Sequence, residues 1–393
     1  MSETTGGGAA QTTAPEQKVS WSELFIDLVW VFSVTEIAAA LARGHGLGSV
    51  PLSLLLLVPL WWGWVGVTVY SNAAGVRIEA ARGRLVLFAV AACGLGMAVA
   101  IPGSYGDRGL LFAASYTALR AVLWLAMRPL NFYRGAWVNP YSVSLFLASP
   151  LFLLGGLLPG GWRVGLWTLA AAVEVASPRL LRLPVKQMTF ETAHLPERFG
   201  LFIILALGET VVAMGGQAAA SRHITAGLLG VLGLSFALIC ALWWTYFHFG
   251  ASAVQHALRT TKVQARIVRD VFSYAHLAYV VGIICVAVGL KKLMAHPLDA
   301  PHSAQDLLLA PGAALYLAGF LYSRWRMFGA PTVFRSAAAV GCLALAGVAP
   351  LLPLAVTAAL VAVIIVALNA LEFFWVRTNR PLLLVPVPRV ARD

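Results

Sequence analysis

A chain of 393 residues that is 60% hydrophobic and only 11% charged, with mean hydropathy +0.81, lies outside the composition of soluble domains, which carry about 25% charged residues. Apolar runs recur along its whole length, each close to the roughly 20 residues that a helix needs to cross a bilayer. The net charge of +12 comes from Lys and Arg scattered over short loops, with no single basic stripe of the kind that binds nucleic acid. Composition thus predicts an all-α polytopic membrane protein whose environment is the lipid bilayer, and it excludes nucleic acid as a partner.

In chain order, residues 1–18, "MSETTGGGAAQTTAPEQK", are polar and rich in Gly and Thr, and predict a disordered tail. They lack the basic n-region of a signal peptide. Twelve spans are then expected, at about 22–42, 51–71, 84–102, 109–127, 142–158, 162–177, 198–216, 225–248, 271–290, 308–323, 333–349 and 351–376. Turn signals such as "RGHGLGS", "IPGSYGD" and "AHPLDAPHS" divide them. The first span holds "ELFIDLVWVFSVTE" (Glu23–Glu36). The second closes on "WWGW" (61–64), and the fourth carries "SYTALR" (115–120) with Arg120 in mid-span. The seventh opens on "ERFGLFIILALGET" (Glu197–Thr210), the eighth closes on "WWTY" (243–246), and the ninth contains His276 in "SYAHLAYVVGI". Tryptophans near span ends read as an interfacial belt; the alternative for "WWGW" and "WWTY" is the lining of a cavity for an organic ligand or a cation. The cysteines, Cys93, Cys240, Cys285 and Cys342, lie in apolar runs without CxxC spacing and read as small buried hydrophobes.

Basic residues orient the spans. The N-terminus, the even-numbered loops and the C-terminal tail hold 21 of the 28 Lys and Arg; the other loops hold six, and Arg120 is the remaining one. Short loops rich in Lys and Arg stay cytoplasmic, so both termini are expected there, in a multi-pass plasma-membrane protein. Motifs also echo six spans apart: "WWGW" with "WWTY", "SYTALR" with "LYLAGF" (315–320), and Glu174 before Arg179 with Glu372 before Arg377. An even offset predicts a parallel repeat of two six-helix halves, 19–190 and 191–377, with a cytoplasmic tail at 378–393 and sites expected between the halves.

Seven carboxylates lie in or at the edge of spans: Glu23, Asp27, Glu36, Glu174, Glu197, Glu209 and Glu372. A charge in hydrocarbon costs roughly 2.5–3.5 kcal/mol on insertion scales, so such residues turn inward and mark functional sites. Glu23 and Glu197 start their helices, where a carboxylate also suits the helix dipole. Asp27 lies one turn deeper than Glu23 on the same face. Glu36 and Glu209 lie about 20 and 18 Å further along their helices. Arg120 needs a counter-ion, expected from the first or seventh span. His194 shares a face with Glu197 three residues on. Asp27 and Glu209 are expected to face one shared cavity with Arg120 or His276 nearby. His194, His248 and His276 with carboxylates form a conceivable metal set, but no HExxH or comparable spacing supports one, and no metal or cofactor is assigned.

These stretches, "SWSELFIDLVWVFSVTEIA", "HLPERFGLFIILALGETVVAM", "WWTYF" and "YAHLAYVVGIICVAVG", resemble the signature stretches of the bacterial low-temperature-requirement protein A family. The positions that match are Glu23, Phe25 and Asp27, then His194, Glu197, Arg198, Phe199, Gly200, Gly208 and Glu209, and His276. Trp30 and Thr210 stand where the family pattern has Phe and Ser. The resemblance implies a multi-pass bacterial plasma-membrane protein and names no reaction.

Two functions follow from the residues. Repeated membrane carboxylates without a nucleotide motif point to an ion- or proton-coupled secondary transporter of a small molecule or ion. The alternative is an intramembrane enzyme whose acids serve as general acid and base on a lipidic or isoprenoid-like substrate. Glu23, Asp27, Glu36, Arg120, His194, Glu197, Arg198, Glu209 and His276 are the candidate binding residues on the first reading. A homo-oligomer is compatible with either.

Overall fold

The computed structural model describes residues 19–44, 46, 48–181, 188–248 and 250–378. The expected tail at 1–18, and the expected tail at 378–393 apart from Thr378, lie outside the described residues. The chain is helical, with no strand among the described residues. Its helices are α1 (Trp21–Arg43), α2 (Ser49–Ala74), α3 (Ala81–Ala100), α4 (Gly109–Met127), α5 (Pro140–Leu157), α6 (Gly160–Leu180), α7 (His194–Ala219), α8 (Ala226–Phe247), α9 (Gly250–Thr260), α10 (Gln264–Ala295), α11 (Leu309–Phe328), α12 (Val333–Val348) and α13 (Leu354–Arg377). Ten of them are long and apolar enough to cross a bilayer; α6, α9 and α11 fall outside that set. Helices α6 and α11 have 21 and 20 residues but carry Arg163, Glu174 and Arg179, and Arg324 and Arg326. Phe25, Leu28, Val363 and Phe374 point outward, more than half exposed, as side chains against lipid do.

The helix ends follow from local chemistry. Ser20 caps α1: its hydroxyl accepts the Glu23 amide, and the Glu23 carboxylate accepts the Ser20 amide at 2.9 Å, a reciprocal capping box. Helices α5 and α10 each contain a π-helical stretch, Ser144–Ala148 and Val268–Ala275, of the kind that recurs at functional sites. The short amphipathic α9 buries Val254, Ala257 and Leu258 and was not expected from the sequence, which read this stretch as loop.

Packing forms two circuits. In the first, α1 packs on α2 and α3, α3 on α4, α4 on α5, α5 on α6, and α6 returns to α2. In the second, α7 packs on α8 and α10, α10 on α11, α11 on α12, α12 on α13, and α13 returns to α8. The circuits meet where α1 touches α7 and α10, and where α2 touches α7.

With no hydrophobic drive between helices in lipid, close backbone approach matters. Helices α10 and α11 achieve it through Gly282 and Gly312: a Cβ on Gly282 would lie 2.8 Å from the Gly312 carbonyl, and one on Gly312 2.7 Å from Cys285 Cβ. At the opposite end of the bundle from Trp21, the buried Arg163 donates to the carbonyls of Ser104, Gly106, Gly155, Gly156 and Leu158. One guanidinium thus satisfies groups that turns and helix ends leave without partners. Gly312→Val should destabilise the bundle by about 1–3 kcal/mol through overpacking, lowering its melting temperature in detergent. Gly233→Ala, which meets nothing within 4 Å, should leave it unchanged.

Candidate functional site

Glu23 and Asp27 are four residues apart on α1, and His194 and Arg198 are four apart on α7, so each pair shares a helix face. The two faces meet, and all four side chains have no exposed surface. The Arg198 guanidinium spans both acids: one terminal nitrogen donates to Glu23 Oε1, the other to Asp27 Oδ1 at 3.0 Å. His194 Nε2 lies 3.1 Å from Glu23 Oε1. Trp64 of α2 donates its indole N–H to Asp27 Oδ1 at 2.8 Å.

The tautomer of His194 follows from its neighbour. The Asn72 side-chain oxygen accepts the Glu191 backbone N–H at 3.2 Å, which turns its amide nitrogen toward His194 Nδ1 at 3.3 Å. An amide nitrogen only donates, so Nδ1 accepts and Nε2 carries the hydrogen given to Glu23. The imidazole is therefore neutral, and two carboxylates face one guanidinium. With both acids ionised the cluster holds one negative charge in excess. Asp27 Oδ2 and Arg198 Nε have no hydrogen-bond partner among the described residues.

Aromatic rings wrap the cluster. Phe199, next to Arg198, has its centroid 4.7 Å from Trp64, 4.9 Å from Phe272 and 4.9 Å from His276. His276 gives its Nδ1 hydrogen to the Val271 carbonyl at 2.9 Å and so accepts the Tyr246 hydroxyl at Nε2, 2.8 Å away. It is a hydrogen-bonded wall of the site. The reading of "WWGW" as interfacial belt is corrected here: Trp61, Trp62 and Trp64 are buried, and the Trp61 and Trp64 indoles donate inward, to Ser273 O and Asp27 Oδ1 respectively. Trp243 and Trp244 of "WWTY" are instead exposed, as a belt requires. Trp30 donates to the Leu60 carbonyl at 3.0 Å, a tie between α1 and α2 that Phe would lack.

Other expected pairings differ. Arg120 finds its counter-ion on α6, in Glu174 at 2.8 Å, where Ser144 and the Tyr116 hydroxyl also donate. The first and seventh helices do not supply it, because their acids are held by Arg198. Glu372 pairs with Arg335 through two hydrogen bonds of 2.7 and 2.8 Å. Glu197 is exposed and accepts the Val19 amide at 3.4 Å, so it is not the partner of His194. Glu209 is half-buried near Thr35, two turns beyond Asp27, and no hydrogen bond joins it to Asp27, Arg120 or His276. Glu36 is half-buried nearby. Among the described residues no group of His, Cys, Asp and Glu is placed to hold a metal ion. Sequence reasoning missed Asn72, Asp270 and Arg335, of which Asp270 and Arg335, charges at the edges of apolar runs, left a signal; Trp64 was noticed within "WWGW" but not as a partner of Asp27.

Membrane-length helices closed around a dry, charged cluster define a multi-pass membrane protein that keeps its ionisable groups inside the bundle. The chain belongs to the bacterial low temperature requirement A protein (LtrA) family, whose model matches residues 18–370. It is 32% identical over 321 residues to "Uncharacterized protein RA0937" of Rhizobium meliloti (strain 1021), covering 79% of this chain and 78% of that one. No solved structure matches it.

Removing one partner of a buried ion pair costs about 3–5 kcal/mol. Arg198→Met should therefore sharply lower the yield and melting temperature of purified protein. Arg198→Lys should only partly restore them, since one ammonium does not span both acids as a fork does. Glu197→Gln should change stability by less than about 0.5 kcal/mol. An Arg198→Met protein as stable as its parent is incompatible with the pairing.

Proposed function

We propose that this protein is a proton- or ion-coupled secondary transporter of the plasma membrane, with twelve spans in two parallel six-helix units and both termini in the cytoplasm. The observation that carries the reading is the cluster of Glu23, Asp27, His194 and Arg198, which joins the first helix of one unit to the first helix of the other. Its charge count is balanced by one proton. Asp27, whose Oδ2 has no partner, is the carrier of that proton. A proton or cation that comes and goes at this point changes the net charge of a dry site, and with it the strength of the tie between the units.

The repeat draws support from packing. The order of contacts in α1–α6 recurs in α7, α8 and α10–α13. In each unit the last helix brings a buried Glu to a buried Arg, Glu174 to Arg120 and Glu372 to Arg335. Aligning "SYTALR" with "LYLAGF" puts Phe320 at the place of Arg120, and the Arg335 guanidinium sits 4.5 Å over the Phe320 ring. The enzyme reading is weaker, since the acids lie under aromatic rings with no surface open to a substrate.

Purified protein in liposomes, given an inward proton gradient and a mixture of metabolites, should accumulate a component together with protons. Asp27→Asn keeps the hydrogen bonds but not the titration, and should reduce this at least tenfold with expression near normal. Full activity in Asp27→Asn, or chemical conversion of a component without accumulation, is incompatible with the proposal. For topology, a reporter fused after Asp393 should read cytoplasmic and one within 296–302 external; the opposite pattern overturns the orientation.

A further inference from the structure

A cavity of about 100 Å³ lies between the two packing circuits, beside the ion cluster but separate from it. Its walls come from α2 and α5 on one side and from the start of α10 on the other, and both π-helical stretches border it, through Ser144 and through Val268, Arg269 and Ser273. Trp61 and Trp62 of α2 form the partition. The Trp61 indole donates to Ser273 O at 2.8 Å while its ring packs against Phe199 over the ion cluster; Trp62 faces the cavity and its carbonyl accepts from Arg120.

The lining has a definite chemistry. Val65, Val69, Met188 and Phe190 make it apolar. Its charged members are Arg120 and Arg269; no carboxylate lines it among the described residues. Arg120 is neutralised from behind by Glu174. Arg269 is not fully neutralised: it shares the single carboxylate of Asp270 with Arg326 and with Arg179, 3.7 Å away. Three guanidinium groups on one acid leave two positive charges around Asp270, and of the three Arg269 is the one that lines the cavity. Arg269 donates through Nε and Nη2 to Asp270, and Nη1 has no hydrogen-bond acceptor among the described residues. The Tyr133 hydroxyl, also on the lining, has no hydrogen-bond partner among the described residues either. An apolar cavity of about 150 Å³ takes a benzene ring, so this one holds a body no larger than a single ring or a short branched chain.

We propose that this cavity binds a small organic carboxylate with a compact apolar body, its carboxylate held by Arg269 and Tyr133 and its body between Val69 and Phe190. The site deepens the transport reading and rests on it for the ligand's passage. Binding itself is measured without a gradient, so the two fail separately.

The full chain in nanodiscs is titrated calorimetrically with benzoate and with 3-methylbutanoate, and with benzylamine as a cation of the same shape. One of the two carboxylates should bind saturably and benzylamine should not. Losing a charge-assisted hydrogen bond weakens binding by about tenfold or more, so Arg269→Gln should do so and Arg269→Lys should recover most of it. Tyr133→Phe should weaken it by less. Val69→Trp, which fills the cavity, should abolish it; where that variant folds poorly, the Arg269 pair decides. Failure of both carboxylates to bind, equal binding of benzylamine, or affinity indifferent to Arg269→Gln overturns the proposal. Saturable, Arg269-dependent binding without uptake in liposomes supports the site and removes the transport reading.

Discussion

A guanidinium between two carboxylates, away from water and lipid, is the constraint around which the rest of this protein is arranged. Arg198 cannot reach Glu23 and Asp27 unless α1 and α7 cross at their first turns, and neither acid tolerates exposure to hydrocarbon. The crossing fixes α2, because Trp64 completes Asp27 and Asn72 completes His194. It fixes α10 through Phe199, which brings Phe272 and His276 against the cluster. A buried ion pair is weak ground for stability in itself, since its desolvation offsets much of its attraction. Its effect here is on geometry: one arrangement of four helices satisfies it, and alternatives leave a charge alone.

Much of the fold was legible in the sequence. Every stretch read as a span is helical, because apolar runs of that length have one way to satisfy their backbone in lipid. Helix α9 was missed since its single apolar stripe is too short to stand out among much more apolar neighbours. The candidate site was half legible. Membrane acids on α1 drew attention by their cost, and His194 and Arg198 by their place in a motif. What the sequence pattern suggested was acid facing acid across the two helices, Asp27 with Glu209. The structure turns Glu197 outward and sends His194 and Arg198, one turn apart on the neighbouring face, to Glu23. Partner choice across helices depends on rotation about the helix axis, which a run of Leu, Ile, Phe and Val leaves poorly marked. For the same reason Arg120 was given the wrong partner.

The tryptophans of α2 show how one short motif can serve two environments. Consecutive residues on a helix lie about 100° apart, so Trp61 and Trp62 look to different sides while Trp64 returns near the face of Trp61. Trp61 and Trp64 close over the charges, and Trp62 lines the neighbouring cavity. Movement of α2 that disturbs one side must disturb the other, and the hydrogen bond from Trp61 to Ser273 ties that movement to the π-helical start of α10.

The buried ion clusters have a thermal consequence. Glu23–Arg198–Asp27, Arg120–Glu174, Arg335–Glu372 and Asp270 with its arginines all sit toward the end of the bundle where α1 begins, while the opposite end is held by glycine contacts and by Arg163 on carbonyls. Hydration of ions grows more favourable on cooling, so keeping charges dry becomes more costly as temperature falls. Van der Waals contact between glycine-lined helices has no such dependence. The two ends of the bundle therefore differ in temperature dependence: burial costs more at the charged end as temperature falls, and the glycine contacts do not share that cost.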